Sequence, residues 1–123
     1  MDNHDSFLVH QFKSFGHALN GILYSFKIGF HFKVQVTTFI LAVILGYIYK
    51  ISALEWLILI LISASVIAAE TFNTAIEETC NLLHPELHPH ARIAKHCAAG
   101  AVLILSAAAA IIGAIIFLPK IFS

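Results

Sequence analysis

The run AAGAVLILSAAAAIIGAIIFL, Ala98 to Leu118, holds no charge and no proline. At 1.5 Å per residue it is long enough for a hydrocarbon layer of about 30 Å, where every backbone amide must be bonded within its own segment. A chain carrying such a run has few options besides a membrane helix. The rest of the composition agrees: 59% of residues are hydrophobic and only 11% charged, a membrane profile rather than that of a soluble core. With lysine plus arginine equal to aspartate plus glutamate, there is no basic stripe for nucleic acid and no acidic tail, so nucleic-acid partners are set aside.

Two further spans are expected. One covers about 34–49, Val34 to Tyr49, with Tyr47 and Tyr49 as interfacial anchors. Lys50, Ser52 and Glu55 form a tight turn. The next span opens near Leu54 with Trp56 at the boundary, stays apolar to Ala69 and continues as helix to about 83, where Pro85 ends it. After the loop HPELHPH a third helix starts near Ala91, crosses the membrane over about 94–118 and is closed by Pro119. Upstream, over 6–28, Phe12, Phe15, Leu19, Ile22, Leu23 and Phe26 recur at three- and four-residue steps, while Lys13, His17, Asn20 and Lys27 fall mostly elsewhere. That pattern predicts an amphipathic helix lying in the interface.

The fold class expected is therefore an all-α membrane protein in which an N-terminal interfacial helix precedes three transmembrane helices. Residues 1–123 form a single domain, short enough that oligomerisation is the natural supplement. The start, MDNHDSFLVHQFK, lacks the pattern of a cleavable signal. Lys13, Lys27, Lys33, Arg92 and Lys95 lie on one side of the spans, Lys50 and Lys120 on the other. The positive-inside rule then puts the N-terminus and the His-rich loop in the cytoplasm and the C-terminus outside. Cys80 and Cys97 fall on the cytoplasmic side, where reduced thiols are expected. Gly46 and Gly113 are read as points of close helix approach.

The second span ends in ETFNTAIEETC, Glu70 to Cys80. At 100° per residue Glu70, Asn73, Thr74, Glu77 and Asn81 share one face, with Glu70 and Glu77 about 10 Å apart along the axis; Glu78 is rotated off it. A carboxylate beside a span costs roughly 2.5–3.5 kcal/mol near the bilayer centre and less towards the interface, so such a row should face other helices or water. Solvated decoration of an emerging helix fits Glu78 best and Glu70 least. The chemical alternative is a metal and phosphate site. Magnesium takes one or two carboxylates plus substrate phosphates, which suits Glu77. Glu70, deeper and less hydrated, suits a general base on a lipid hydroxyl. Lys95, at the entry of the third helix, supplies an ammonium for the β- and γ-phosphates of ATP. No glycine-rich phosphate loop occurs, which excludes the ordinary soluble kinase folds.

The run E-x-x-N-T-A-I-E from Glu70 to Glu77, with A-K-x-x-A-A-G-A-V from Ala94 to Val102, resembles the signature of the small prokaryotic integral-membrane diacylglycerol kinases, a family that includes the undecaprenol kinases of Gram-positive bacteria. SFGHALNGILYSF resembles the family's interfacial helix, ISALEWL its external turn and IIFLPKI its C-terminus. The likeness implies a multi-pass lipid kinase of the bacterial cytoplasmic membrane, dependent on ATP and Mg2+. It also implies a homotrimer, with active sites between subunits, that phosphorylates the hydroxyl of diacylglycerol or undecaprenol. Carried over by position, Glu70 is the base, Asn73 and Glu77 serve phosphate and metal, and Lys95 serves the phosphates. The chain departs from the family at Gly29, where a metal-binding Glu is usual, and at His96 and Asn81, each in place of an Asp. His31 and His96 are candidate substitutes, although imidazole suits transition metals better than magnesium.

Two other classes stay open. A catalytically impaired relative could serve as a lipid-binding or assembly protein. A metal-binding membrane protein could use Cys80 and His84, spaced i, i+4, with His88, His90, His96 and Cys97 nearby. His4, His10 and His17 are read as interface residues.

Overall fold

The computed structural model describes residues 3–83, 86 and 88–123, with side chains from Ser6 onward. It is all helix among the described residues: α1 spans Asn3–Ile28, α2 Phe30–Ile48, α3 Ala53–Leu82 and α4 Pro89–Ile121. The last three are long and apolar enough to cross a membrane.

α1 and α2 are almost one helix. Gly29 alone separates them, its N–H bonded to Ser25 O at 3.0 Å while its own carbonyl accepts from Lys33 N at 3.1 Å. A Cβ on Gly29 would stand 2.7 Å from that Ser25 oxygen and 3.1 Å from Phe32 Cβ, so the break is shaped around a residue without a side chain. α2 starts at Phe30 rather than near 34. His31 and Lys33 are accommodated in its first turn because both side chains stay exposed, while Phe32 between them is buried.

The turn from α2 to α3 is built from local chemistry. Lys50 takes a left-handed backbone with φ 51°, and Ile51 N reaches back to Gly46 O at 3.1 Å, the six-to-one bond of a Schellman ending. Ser52 then caps α3: its hydroxyl accepts from Glu55 N at 3.2 Å, and the Glu55 carboxylate accepts from Ser52 N at 3.0 Å. This reciprocal box satisfies two amides that the first turn of a helix leaves free.

α3 runs unbroken for 30 residues, about 45 Å at helical rise. That length exceeds a hydrocarbon layer of about 30 Å, and the last third of the helix is polar. It ends at Leu82, and Pro85 and His84 lie outside the described residues. α4 packs along α3 as an antiparallel hairpin, buried most tightly at its open end, by the α2–α3 turn, where Ile51, Leu59, Ile116 and Phe117 form a core. Two departures from expectation occur in α4. Pro119 does not close the helix, which continues to Ile121. Proline removes one amide and disturbs the carbonyl four residues back, and at the last turn this cost is small. Lys120 reinforces the same turn, its Nζ 2.9 Å from Ile116 O. Gly113 faces open space with nothing within 4 Å of a would-be Cβ, whereas at Gly46 a Cβ would meet Trp56 Cη2 at 2.6 Å. Only Gly46 is a point of close approach. There the Trp56 ring lies across α2, and Tyr47 packs on it with centroids 5.1 Å apart.

Candidate active site

The polar third of α3 gathers the chemistry. Glu70 is 5% exposed, and its Oε1 is buried without a hydrogen-bond partner, as is Asn73 Oδ1. One turn on, Asn73 Nδ2 donates to Glu77 Oε1 at 3.2 Å. The spacing i, i+3, i+7 therefore yields a ladder on one helix face, in which the deepest carboxylate is left with an open lone pair and the outer one is held by an amide. Thr74, on the same face, spends its hydroxyl on Glu70 O at 3.1 Å, so it stiffens the backbone instead of facing a ligand.

Lys95 sits half-buried on the second turn of α4. Its Nζ lies 3.5 Å from Asn81 Oδ1, one turn beyond Glu77 on α3, and it pairs with neither Glu70 nor Glu77. Glu70, Asn73 and Glu77 are thus brought together by α3 alone, while α4 delivers the ammonium one step further out. Glu78 points away as expected but is not merely solvated: Tyr24 Oη donates to its Oε1 at 3.1 Å, tying α1 to α3.

An apolar groove of about 750 Å³ lies between α1, α2 and α3, on a different face of α3 from the ladder, lined by Ile22, Phe39, Ile67, Thr71 and Phe72 among others. A second cavity of about 420 Å³ lies between α2, α3 and α4; at its rim Gln35 Nε2 donates to Ser106 Oγ at 2.6 Å.

The donors of the ladder are oxygens, two of them buried and unsatisfied, the hard set that magnesium prefers. Among the described residues no three His, Cys, Asp or Glu side chains converge on one point, so a cation here depends on phosphate and water for its remaining ligands, as magnesium ordinarily does. Cys80 is not poised for a metal: its thiol is buried and donates to Ala91 O at 3.3 Å, closing the base of the α3–α4 hairpin. His84, its supposed partner in zinc binding, lies outside the described residues. At Gly29 the backbone leaves no room for an acidic side chain without a shift.

Sequence reasoning missed the Tyr24–Glu78 and Gln35–Ser106 bonds and an ion pair, Lys120 Nζ to Glu55 Oε2 at 2.7 Å. Gln35 and Ser106 were detectable as polar residues inside spans, which seek each other across helices. The other two join residues 54 and 65 positions apart and left no local signal.

Three apolar helices, an amphipathic fourth and a carboxylate–amide ladder where α3 leaves the hydrocarbon define a membrane-embedded helical protein with a polar site at its rim. The family described as prokaryotic diacylglycerol kinase matches residues 16–117, and the chain belongs to that family, one of lipid kinases. The undecaprenol kinase of Bacillus subtilis (strain 168) is 37% identical over 119 residues, 97% of this chain and 97% of that protein. A diacylglycerol kinase of Synechocystis is 34% identical over 111 residues, 89% of this chain and 63% of that protein. No solved structure matches the chain.

Proposed function

We propose that the protein transfers the γ-phosphoryl group of magnesium-bound ATP to a lipid hydroxyl at the cytoplasmic face of the membrane. The observation that carries this reading is the Glu70 carboxylate, buried at the end of a membrane span with an oxygen that no protein group satisfies. An unpaired acceptor in such a place costs about 1–3 kcal/mol or more, a cost that a donor hydroxyl entering from the lipid side offsets.

In this mechanism Glu70 accepts the proton of the lipid hydroxyl as its oxygen attacks the γ-phosphorus. The bond from that phosphorus to the β–γ bridging oxygen breaks, and ADP leaves with the electron pair. Glu77, steadied by Asn73, takes the metal side of the nucleotide, and Lys95 takes the phosphate oxygens from α4. Magnesium, when bound, offsets the charge on the transferring group. The apolar groove between α1, α2 and α3, lined by Phe39, Ile67 and Phe72, offers room for the lipid's hydrocarbon on the same helix that carries Glu70. Lys95 belongs to a different helix and is bonded to Asn81, which suits a site completed by a neighbouring copy. A homotrimer is the assembly proposed. The orientation proposed, N-terminus inside, rests on the lysine and arginine asymmetry.

The test is phosphate transfer from labelled ATP with magnesium to undecaprenol or to diacylglycerol. Undecaprenol is the first choice, because the relative of that name matches over nearly its full length. One lipid becomes labelled, and Glu70→Gln lowers turnover at least about a hundredfold, the scale of a lost general base. Failure to label either lipid would leave the protein a binding or assembly member of the family.

A further inference from the structure

α1 presents two sides whose residues are largely exposed, one apolar and one basic, the basic side touching α3 at Tyr24. Phe12, Phe15 and Leu23 are 78%, 68% and 63% exposed, and at 100° per residue they share one side of the helix. On the other side His10, Lys13, His17 and Lys27 fall within about 100° of one another, and all four are exposed. From Ser6 to Leu54 there is no acidic residue at all, and among the described residues neither Lys13 nor Lys27 engages a carboxylate. Lys33, just past the Gly29 break, adds a third cation, its Nζ 5.9 Å from the centre of the Phe26 ring.

Position narrows the partner. α1 joins the first span through one residue, and its C-terminal half is fastened to α3 by Tyr24 and Glu78. A helix so tethered stays at headgroup level. We propose that α1 is a docking surface for anionic phospholipid headgroups, gripped by Lys13, Lys27 and Lys33 while its phenylalanine side enters the acyl region. Charge complementarity selects the anionic lipid: a zwitterionic headgroup carries its own counter-charge, whereas the Glu78 carboxylate on this side accepts from the Tyr24 phenol and pairs with none of the three lysines. His10 and His17 complete the stripe with ring N–H donors for phosphate oxygens. Since Glu78 adjoins Glu77, lipid that seats α1 also settles the helix that carries the site.

The proposal stands independently of the kinase reading, and its test needs no turnover. The full chain is placed in nanodiscs of phosphatidylcholine, or of an equal mixture with phosphatidylglycerol, and amide hydrogen exchange is followed over residues 6–28. Exchange is expected to slow at least about fivefold in the mixture, the scale of one lysine near an anionic surface. High salt and the double variant Lys13→Gln, Lys27→Gln should both erase the difference, with α4 unchanged as the measure of an intact fold. Equal exchange in the two lipids, or a difference that survives loss of both lysines, overturns it.

Discussion

Asn73 Nδ2 donates to Glu77 Oε1 across one turn of α3, and the same amide's oxygen is buried without a partner. One side chain therefore orients the outer carboxylate and offers an acceptor to whatever occupies the site. Asn73→Ala should cut lipid phosphorylation about 10–100-fold, as loss of a group orienting a metal ligand commonly does. It should also raise the magnesium concentration needed for half-maximal rate. Thermal unfolding of the variant, followed by circular dichroism, should change little, which separates a site effect from a folding one.

Gly46 is filled against the Trp56 ring while Gly113 looks onto open space. Gly46→Ala should destabilise by about 1–3 kcal/mol, the usual range for overpacking, whereas Gly113→Ala should be close to neutral. Trp56 is the single tryptophan, so displacement of its ring by the Gly46 substitution is readable as a shift in emission that the Gly113 substitution does not produce.

Lys120 and Glu55 bridge the last turn of α4 to the first of α3 at 2.7 Å. Glu55→Gln keeps an acceptor for the capping box but loses the ion pair, and Lys120→Met loses the pair together with the bond to Ile116 O. Each should lower the unfolding temperature by a few degrees. The double variant should be no worse than the weaker single one, because the two changes remove one shared interaction.

The Tyr24 phenol is held above its ordinary pKa of 10.0, first by its hydrogen bond to Glu78, then by desolvation and the carboxylate's charge. A folded-state pKa raised above the unfolded one contributes stability that is complete below the ordinary value and is lost as pH climbs through the raised one. The α1–α3 fastening should hold across neutral pH and release only in strong alkali. Tyrosinate absorbance should show the Tyr24 phenol titrating late. Glu78→Gln should bring it earlier, and Tyr24→Phe should remove it.

Much of this architecture could be read from the residues. The spans follow from apolar runs too long for anything else, and the ladder from the i, i+3, i+7 spacing of Glu70, Asn73 and Glu77. What escaped reading depends on where a helix stops when its signal is weak. Pro119 marks an ending in most contexts, yet here it sits in a final turn that has few bonds left to lose. The first span begins at Phe30, four residues before the expected start, because a helix entering a membrane tolerates polar residues such as His31 and Lys33 that can turn outward. The partner of Lys95 within the chain, Asn81, is not legible in the sequence, because a long flexible amine settles wherever packing of α4 on α3 leaves an acceptor.

α3 is one unbroken helix from the Ser52 cap at one end to the carboxylates near the other. A bilayer that thins or thickens must be met by leaning such a helix, and leaning about the capped end sweeps Glu70 and Glu77 sideways through an arc. The acyl-chain length of the host membrane thereby becomes a variable of the chemistry, acting with no ligand of its own.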